Sequence, residues 1–163
     1  MSRPPSAAIL AQVVKAARED PAGMGAEWVP VLESVPLLAN LSKRHLRRVA
    51  NLAQPVRFEA NTAVVRKGTR GDTFFVIIDG EARVATSRGV ERLGPLDFFG
   101  EMALIDGEPR SATVEAVTEM LTMRIGREPF LKLLSSEPDI ALGVMKELVR
   151  RVRRLEATRE TQG

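Results

Sequence analysis

The chain contains no cysteine, which excludes disulfides and thiolate metal sites and fits a reducing compartment. It has one histidine, His45. A metal-dependent barrel enzyme wants several histidines or a histidine–carboxylate cluster on strands. With no cysteine, and no histidine to partner a serine, no nucleophile–base pair is visible. The G-x-x-x-x-G-K-[ST] loop that cradles nucleoside triphosphates is missing too. These absences point away from catalysis. No run of about 18 apolar residues is present to cross a membrane, and Met1-Ser-Arg-Pro-Pro-Ser6 lacks the apolar core of a secretory signal. The expectation is a cytoplasmic, non-enzymatic protein.

What is present suits one globular domain, with room for a helical appendage: 163 residues, 44% of them hydrophobic. Net charge is a modest +3, but Arg150, Arg151, Arg153, Arg154 and Arg159 crowd the end of the chain. A basic tail can bind nucleic acid or anionic lipid. Cations at the negative end of a helix dipole are the simpler reading, and it is preferred for all but Arg151.

Periodicity divides the chain. Ile9, Val13 and Ala17 lie four apart, as do Leu10 and Val14, predicting a helix over residues 7–19 that ends at Asp20-Pro-Ala-Gly-Met-Gly25. Trp28 opens a further apolar stretch, and Ser42 starts a helix with Leu46 and Val49 inside and Arg44, Arg47 and Arg48 outside. From about Pro55 short strands take over. Phe74-Phe-Val-Ile-Ile78 has strong β propensity, Asp79-Gly80 reads as a hairpin turn returning through Ala82 and Val84, and Arg88-Gly89 is another tight turn. Residues 112–117 and 121–125 complete the set. Evenly spaced short strands with glycine turns suggest a jelly-roll-like β-barrel. Two helices follow, over 128–134 and from Ser136-Glu-Pro-Asp139, where Ser136 is the expected cap. Ile140, Val144, Leu148, Val152 and Leu155 form an apolar stripe for packing on the barrel or in a helix–helix dimer.

The most informative segment is Phe99-Gly-Glu-Met-Ala-Leu-Ile-Asp-Gly-Glu-Pro-Arg-Ser-Ala-Thr-Val114. Arg110 can fork two N–H groups onto phosphate oxygens. Glu101, ionised, accepts only, which suits a sugar hydroxyl. Gly100 lets backbone come close to a ligand, having no Cβ. Ala103-Leu104-Ile105 can make a short helical turn with free N–H groups towards the anion. Asp106-Gly107-Glu108-Pro109 turns the chain so that Arg110 comes back to Glu101. Ser111 adds a hydroxyl and an N–H. A lone Glu and Arg nine positions apart would be an ordinary surface ion pair; the ordered string is what argues for a site.

This run resembles the phosphate-binding cassette of the cyclic-nucleotide-binding domain family. The resemblance extends over roughly residues 30–155, through Val35-Pro-Leu-Leu-Ala-Asn-Leu-Ser42 and the Gly68, Gly71-Asp72 and Gly80 pattern. It implies an α+β, mainly β protein: a jelly-roll-like β-barrel of about eight strands with N-terminal helices and a C-terminal lid helix. The implied layout is a helical extension over 1–29 and the binding domain over 30–163, with a helical lead-in 30–54, barrel 55–126 and C-terminal helices 127–158. Residues matching Gly100, Glu101, Arg110 and Ser111 contact ribose and phosphate in the family. Met102 and Ala103 match positions that lend backbone, and Ala112 completes the binding set. The lid would span 139–155. Arg151 falls where the prokaryotic cyclic-nucleotide-gated potassium channels of the family have a lid arginine, so it is expected to stack on the base. Residues 1–29 have no counterpart. Lys67 stands where many members have Gln or Glu, and Asn61 where a glycine is common.

The implied ligand is cAMP, with cGMP permitted by Ser111; no cofactor is expected. Only eight residues follow Leu155, too few for a DNA-reading module. The expected partner is therefore an unidentified effector protein, with a homodimer through the C-terminal or N-terminal helix possible. The alternatives are a nucleotide-blind interaction module and a regulatory piece of a larger channel or transcription factor.

Overall fold

The computed structural model describes residues 4–162, with side chains through Glu160; expectations that touch residues 1–3 and Gly163 lie outside the described residues. Helix α1 (Ala7–Glu19) starts where the Ser6 hydroxyl accepts the Ile9 N–H at 3.2 Å. It ends at Asp20, whose carboxylate accepts the Gly23 N–H. Short 3₁₀ turns at Pro21–Gly23, Gly25–Trp28 and Pro36–Leu38 surround α2 (Val29–Leu32). Helix α3 (Lys43–Ala50) is capped by Ser42, as its sequence predicts, with the His45 N–H donating to the Ser42 hydroxyl. Val13, Ala17, Met24, Trp28, Leu32, Leu46 and Val49 from these helices enter one buried cluster.

Eight strands follow: β1 (Gln54–Phe58), β2 (Ala63–Val65), β3 (Thr73–Asp79), β4 (Ala82–Thr86), β5 (Gly89–Leu93), β6 (Phe98–Phe99), β7 (Val114–Ala116) and β8 (Met120–Gly126). They form two four-stranded antiparallel sheets, ordered β1-β8-β3-β6 and β2-β7-β4-β5. This is the jelly-roll-like arrangement that the strand spacing implied.

Strand β3 shows why its sequence is an unbroken apolar run. Phe74, Val76 and Ile78 point to the helices, while Ile77 faces the interior between the sheets with Ala82, Val114, Ala116 and Met120. A strand buried on both faces shows no polar alternation.

Asp79-Gly80 is not a hairpin. Strands β3 and β4 belong to different sheets, and β4 pairs with β5 and β7. The dipeptide turns the chain from one sheet to the other. Gly80 has φ +95°, and a Cβ there would stand 2.4 Å from the Glu119 carbonyl oxygen. Asp-Gly supplies the positive φ that a corner also needs, so the local signal cannot tell the two apart. Asn61 adopts the left-handed conformation (φ 66°) that asparagine tolerates.

Helices α4 (Ala103–Asp106), α5 (Arg127–Ser136) and α6 (Pro138–Gln162) complete the chain. Ser136 does not cap α6: its hydroxyl donates to the Leu133 carbonyl and so closes α5. The apolar stripe on α6 also divides. Ile140 and Val144 are buried and Leu148 half-buried, whereas Val152 and Leu155 are exposed. The first half lies against the Pro36–Leu38 turn and the neighbouring Asn40 and Leu41. Gly143 permits this approach, since a Cβ there would come 2.6 Å from Leu41 Cδ2. Two of the terminal arginines do more than decorate a helix end. Arg150 and Arg154 each lie 3.4 Å from the carboxylate of Glu147, which is buried and also accepts from Asn40 at 2.9 Å.

Candidate functional site

Arg110 is placed by backbone on both sides. Its N–H donates to the Thr69 carbonyl and its carbonyl accepts the Gly68 N–H, both at 2.8 Å. The loop between β2 and β3 therefore grips the arginine's main chain. Gly71 allows the fit, because a Cβ there would stand 2.4 Å from the Glu108 carbonyl oxygen. The side chain donates from Nη2 to the Thr73 carbonyl at 2.5 Å and lies over Gly100.

Gly100 has φ +83°, and a Cβ on it would stand 2.3 Å from Arg110 Nη1. The space this glycine opens is thus filled by the guanidinium itself, where a close approach of ligand was expected. Arg110 is 9% exposed. Burial lowers its pKa from the ordinary value, and Asp72 opposes that shift. A guanidinium remains charged under such a shift. A desolvated cation with a single fixed acceptor is a strong attractor for an anion.

Arg110 and the rest of the cassette line one cavity of about 380 Å³. Gly100, Glu101, Met102, Ala103, Arg110, Ser111 and Ala112 all contribute to its wall, so seven of the eight candidates converge. Val65, Val84 and Val114 form an apolar side from β2, β4 and β7. The volume suits a small organic ligand.

Helix α4 provides less free backbone than its sequence suggested. The Leu104 N–H donates to the Glu101 carbonyl and the Ile105 N–H to the Met102 carbonyl, at 3.2 and 3.0 Å. The amides of Met102 and Ala103 have no such acceptor among the described residues. Those are the two positions from which backbone was expected.

The eighth candidate, Arg151, arrives from α6 and meets Glu101. Its Nη1 donates to Glu101 Oε1 at 2.8 Å and lies 3.7 Å from Met102 Sδ. The bond to Glu101 raises the Arg151 pKa above its ordinary value, against the effect of burial. Arg151 therefore pairs with the proposed sugar acceptor and also lines the hollow beneath α6. Glu101 Oε2 and Arg151 Nη2 are both buried without a partner. Phe98, Glu101, Arg151 and Leu155 line a second hollow of about 400 Å³ that shares Phe98 and Glu101 with the first.

Sequence reasoning missed four residues, two that position the cassette and two that form its apolar wall. Thr73 contributes only a carbonyl, which carries no side-chain signal. Val65 and Val84 come from strands distant in sequence. Arg127 braces the cassette from behind: its Nη2 donates to the Ile105 carbonyl at 3.1 Å, its N–H donates to the Asp72 carbonyl at 2.8 Å, and its guanidinium abuts Gly107 at φ +66°. The left-handed cap at Gly107 was the one signal within reach.

Residues 55–137, half of the chain, match the family described as Cyclic nucleotide-binding domain. A cyclic nucleotide-gated potassium channel of Rhizobium etli is 39% identical over 121 residues, 74% of this chain and 34% of that protein. A cAMP-dependent protein kinase regulatory subunit of Aspergillus fumigatus is 37% identical over 115 residues, 67% of this chain and 27% of that protein. The chain thus spans about a third or less of the length of these curated relatives. Among solved structures, the N-terminal domain of a transcriptional regulator from Streptomyces coelicolor superposes with a TM-score of 0.70 at 25% identity, covering 78% of this chain and 94% of that one. A cAMP-bound PfPKA-R fragment gives 0.58 at 26% identity, covering 85% of this chain and 48% of that one.

Proposed function

Because the chain belongs to the cyclic nucleotide-binding domain family, we propose that it is a cAMP receptor module whose C-terminal helix passes ligand occupancy to another protein. The observation that carries this reading is the buried Arg110 beside Glu101 on a single cavity, with Glu101 Oε2 still lacking a donor. In this reading Arg110 holds the cyclic phosphate together with Ser111 and the free amides of Met102 and Ala103. Glu101 Oε2 accepts the ribose hydroxyl. The base extends past Phe98 into the hollow under α6, where the guanidinium of Arg151 covers it. Nothing in this set activates a nucleophile, so the site binds and does not transform.

The preference for cAMP over cGMP rests on the relatives, which include a cAMP-dependent kinase regulatory subunit and a cAMP-bound structure. The Ser111 hydroxyl serves a phosphate or a guanine equally well. Helix α6 is the element a ligand would bias, because Arg151 links it to the cassette at Glu101. The partner is an effector protein, a second copy of the chain, or the remainder of a larger channel or regulator. Among the described residues no helix is long and apolar enough to cross a membrane, and we place the module in the cytoplasm.

Titration calorimetry with cAMP and cGMP in parallel tests the proposal. Micromolar or tighter binding of cAMP, with cGMP weaker, is the expected result. Absence of heat and of any thermal shift with both would overturn it. The Glu101–Arg151 pair would then be an internal substitute for ligand in a nucleotide-blind module.

A further inference from the structure

Helix α6 carries a second face that the fold does not use. Ile140, Val144, Glu147 and Arg151 are turned to the rest of the molecule. On the other side Leu142, Met145, Val149 and Val152 recur at intervals of three, four and three, and each is about half exposed (47–54%). Leu155 falls outside this seam, on the side of Arg151, where it lines the second hollow. Two apolar positions in seven make a narrow seam, the width that packs against one other helix. A helix lying in a lipid surface buries a broader face, rich in Trp, Phe and Leu. Neither aromatic occurs on α6.

Charge along the seam is one-sided. Lys146, Arg150 and Arg153 run down one edge, and Arg150 is answered by Glu147. Lys146 and Arg153 have no ion-pair partner among the described residues. A second copy answers them poorly. Paired in parallel, it sets Ala141 and Leu148 opposite Lys146 and Arg153; paired antiparallel about the middle of the seam, it sets Lys146 against Arg153. We infer that this face docks an acidic amphipathic helix of a partner protein, with apolar residues in the seam and carboxylates against Lys146 and Arg153. The inference does not depend on which nucleotide binds, or on whether one does.

The test uses the whole chain and a labelled 28-residue peptide with Leu at its a and d positions and Glu at e and g. Such a peptide repels its own copies. The control is the same composition scrambled to destroy the heptads. Fluorescence anisotropy at about 150 mM salt, where exposed charges are well screened, should show at least tenfold tighter binding of the heptad peptide. Val149→Lys with Val152→Lys should abolish that binding although it adds positive charge. Lys146→Glu with Arg153→Glu should weaken it at least tenfold. All four positions are exposed, and a thermal melt of each variant checks the fold. Three outcomes overturn the inference: equal binding of the scrambled peptide, tighter binding by the lysine variant, or a dimer in sedimentation velocity that the lysine variant disperses. Co-sedimentation with phosphatidylserine vesicles, lost in the lysine variant while the peptide is ignored, would transfer the face to a membrane.

Discussion

The cassette over residues 99–112 and helix α6 meet at one ion pair, and they are fixed in different ways. The cassette is locked by backbone: left-handed glycines at 100 and 107, two main-chain bonds on Arg110, and carbonyls of Thr73 and Ile105 that capture arginines. Helix α6 is anchored by side chains in its first half, and beyond Leu148 it rests chiefly on Arg151 and on the arginines around Glu147. Backbone locks define geometry before a ligand arrives, which reduces the entropy lost on binding. A helix attached by a few polar contacts can shift at modest free-energy cost. The one molecule thus pairs a cavity wall fixed by backbone with a helix held by few contacts beyond Leu148.

The largest expected effect tests the fixed half. Arg110→Ala should weaken cAMP binding by about 2–4 kcal/mol, since a charge-assisted fork is lost and the phosphate stays desolvated. Calorimetry reads this directly, and a loss no larger than that of an α6 variant would remove the distinction between the two regions. Gly100→Ala comes next. At φ +83° an L-residue is strained, and its Cβ would collide with Arg110 Nη1 and the Thr73 carbonyl. About 2 kcal/mol of folding stability should disappear, with weaker nucleotide binding alongside. A denaturant melt showing no change would mean that the cassette backbone is softer than its bonding suggests.

The same contrast explains what could be read in advance. The cassette is local: its glycines, carboxylate and arginine lie within sixteen residues, so their order and the family it resembles pointed to seven residues that line one cavity. The strands were legible from alternation and turns, yet Asp79-Gly80 misled, because a sheet-to-sheet corner and a hairpin ask the same backbone conformation of a glycine. Ser136 misled for a similar reason, as a hydroxyl between two helices can serve either end. Contacts with Thr73, Arg127, Val65 and Val84 are long-range, and backbone carbonyls leave no trace in composition. The α6 stripe divides because twelve residues of helix turn Val152 away from the face that Ile140 buries, a drift that four-residue spacings hide.

Arg151→Ala tests the joint between the regions, and a loss of about 1 kcal/mol in cAMP affinity is expected for a partly exposed stacking contact. The sign is informative. Arg151 holds Glu101 Oε1 in this structure, so a gain in affinity would show that the arginine competes with the ribose for the carboxylate. A loss would show that it closes over the ligand, and the dissociation rate in stopped flow should then rise more than the association rate falls.

The smallest effect is the most specific to the comparison, because it concerns two apolar positions of one helix that the fold turns to different sides. Ile140 is fully buried, and Ile140→Val removes a single methylene from a packed site, which should cost about 1 kcal/mol of stability. Val152 lies twelve residues on and is 53% exposed, so Val152→Ala, which deletes more carbon, should stay within about 0.5 kcal/mol. Stripe periodicity alone would rank the two the other way. Urea melts of the paired variants decide between them. If Val152→Ala proves as costly as Ile140→Val, the second half of α6 packs against the barrel in solution, and the helix is a fixed wall of the site with no freedom to report on it.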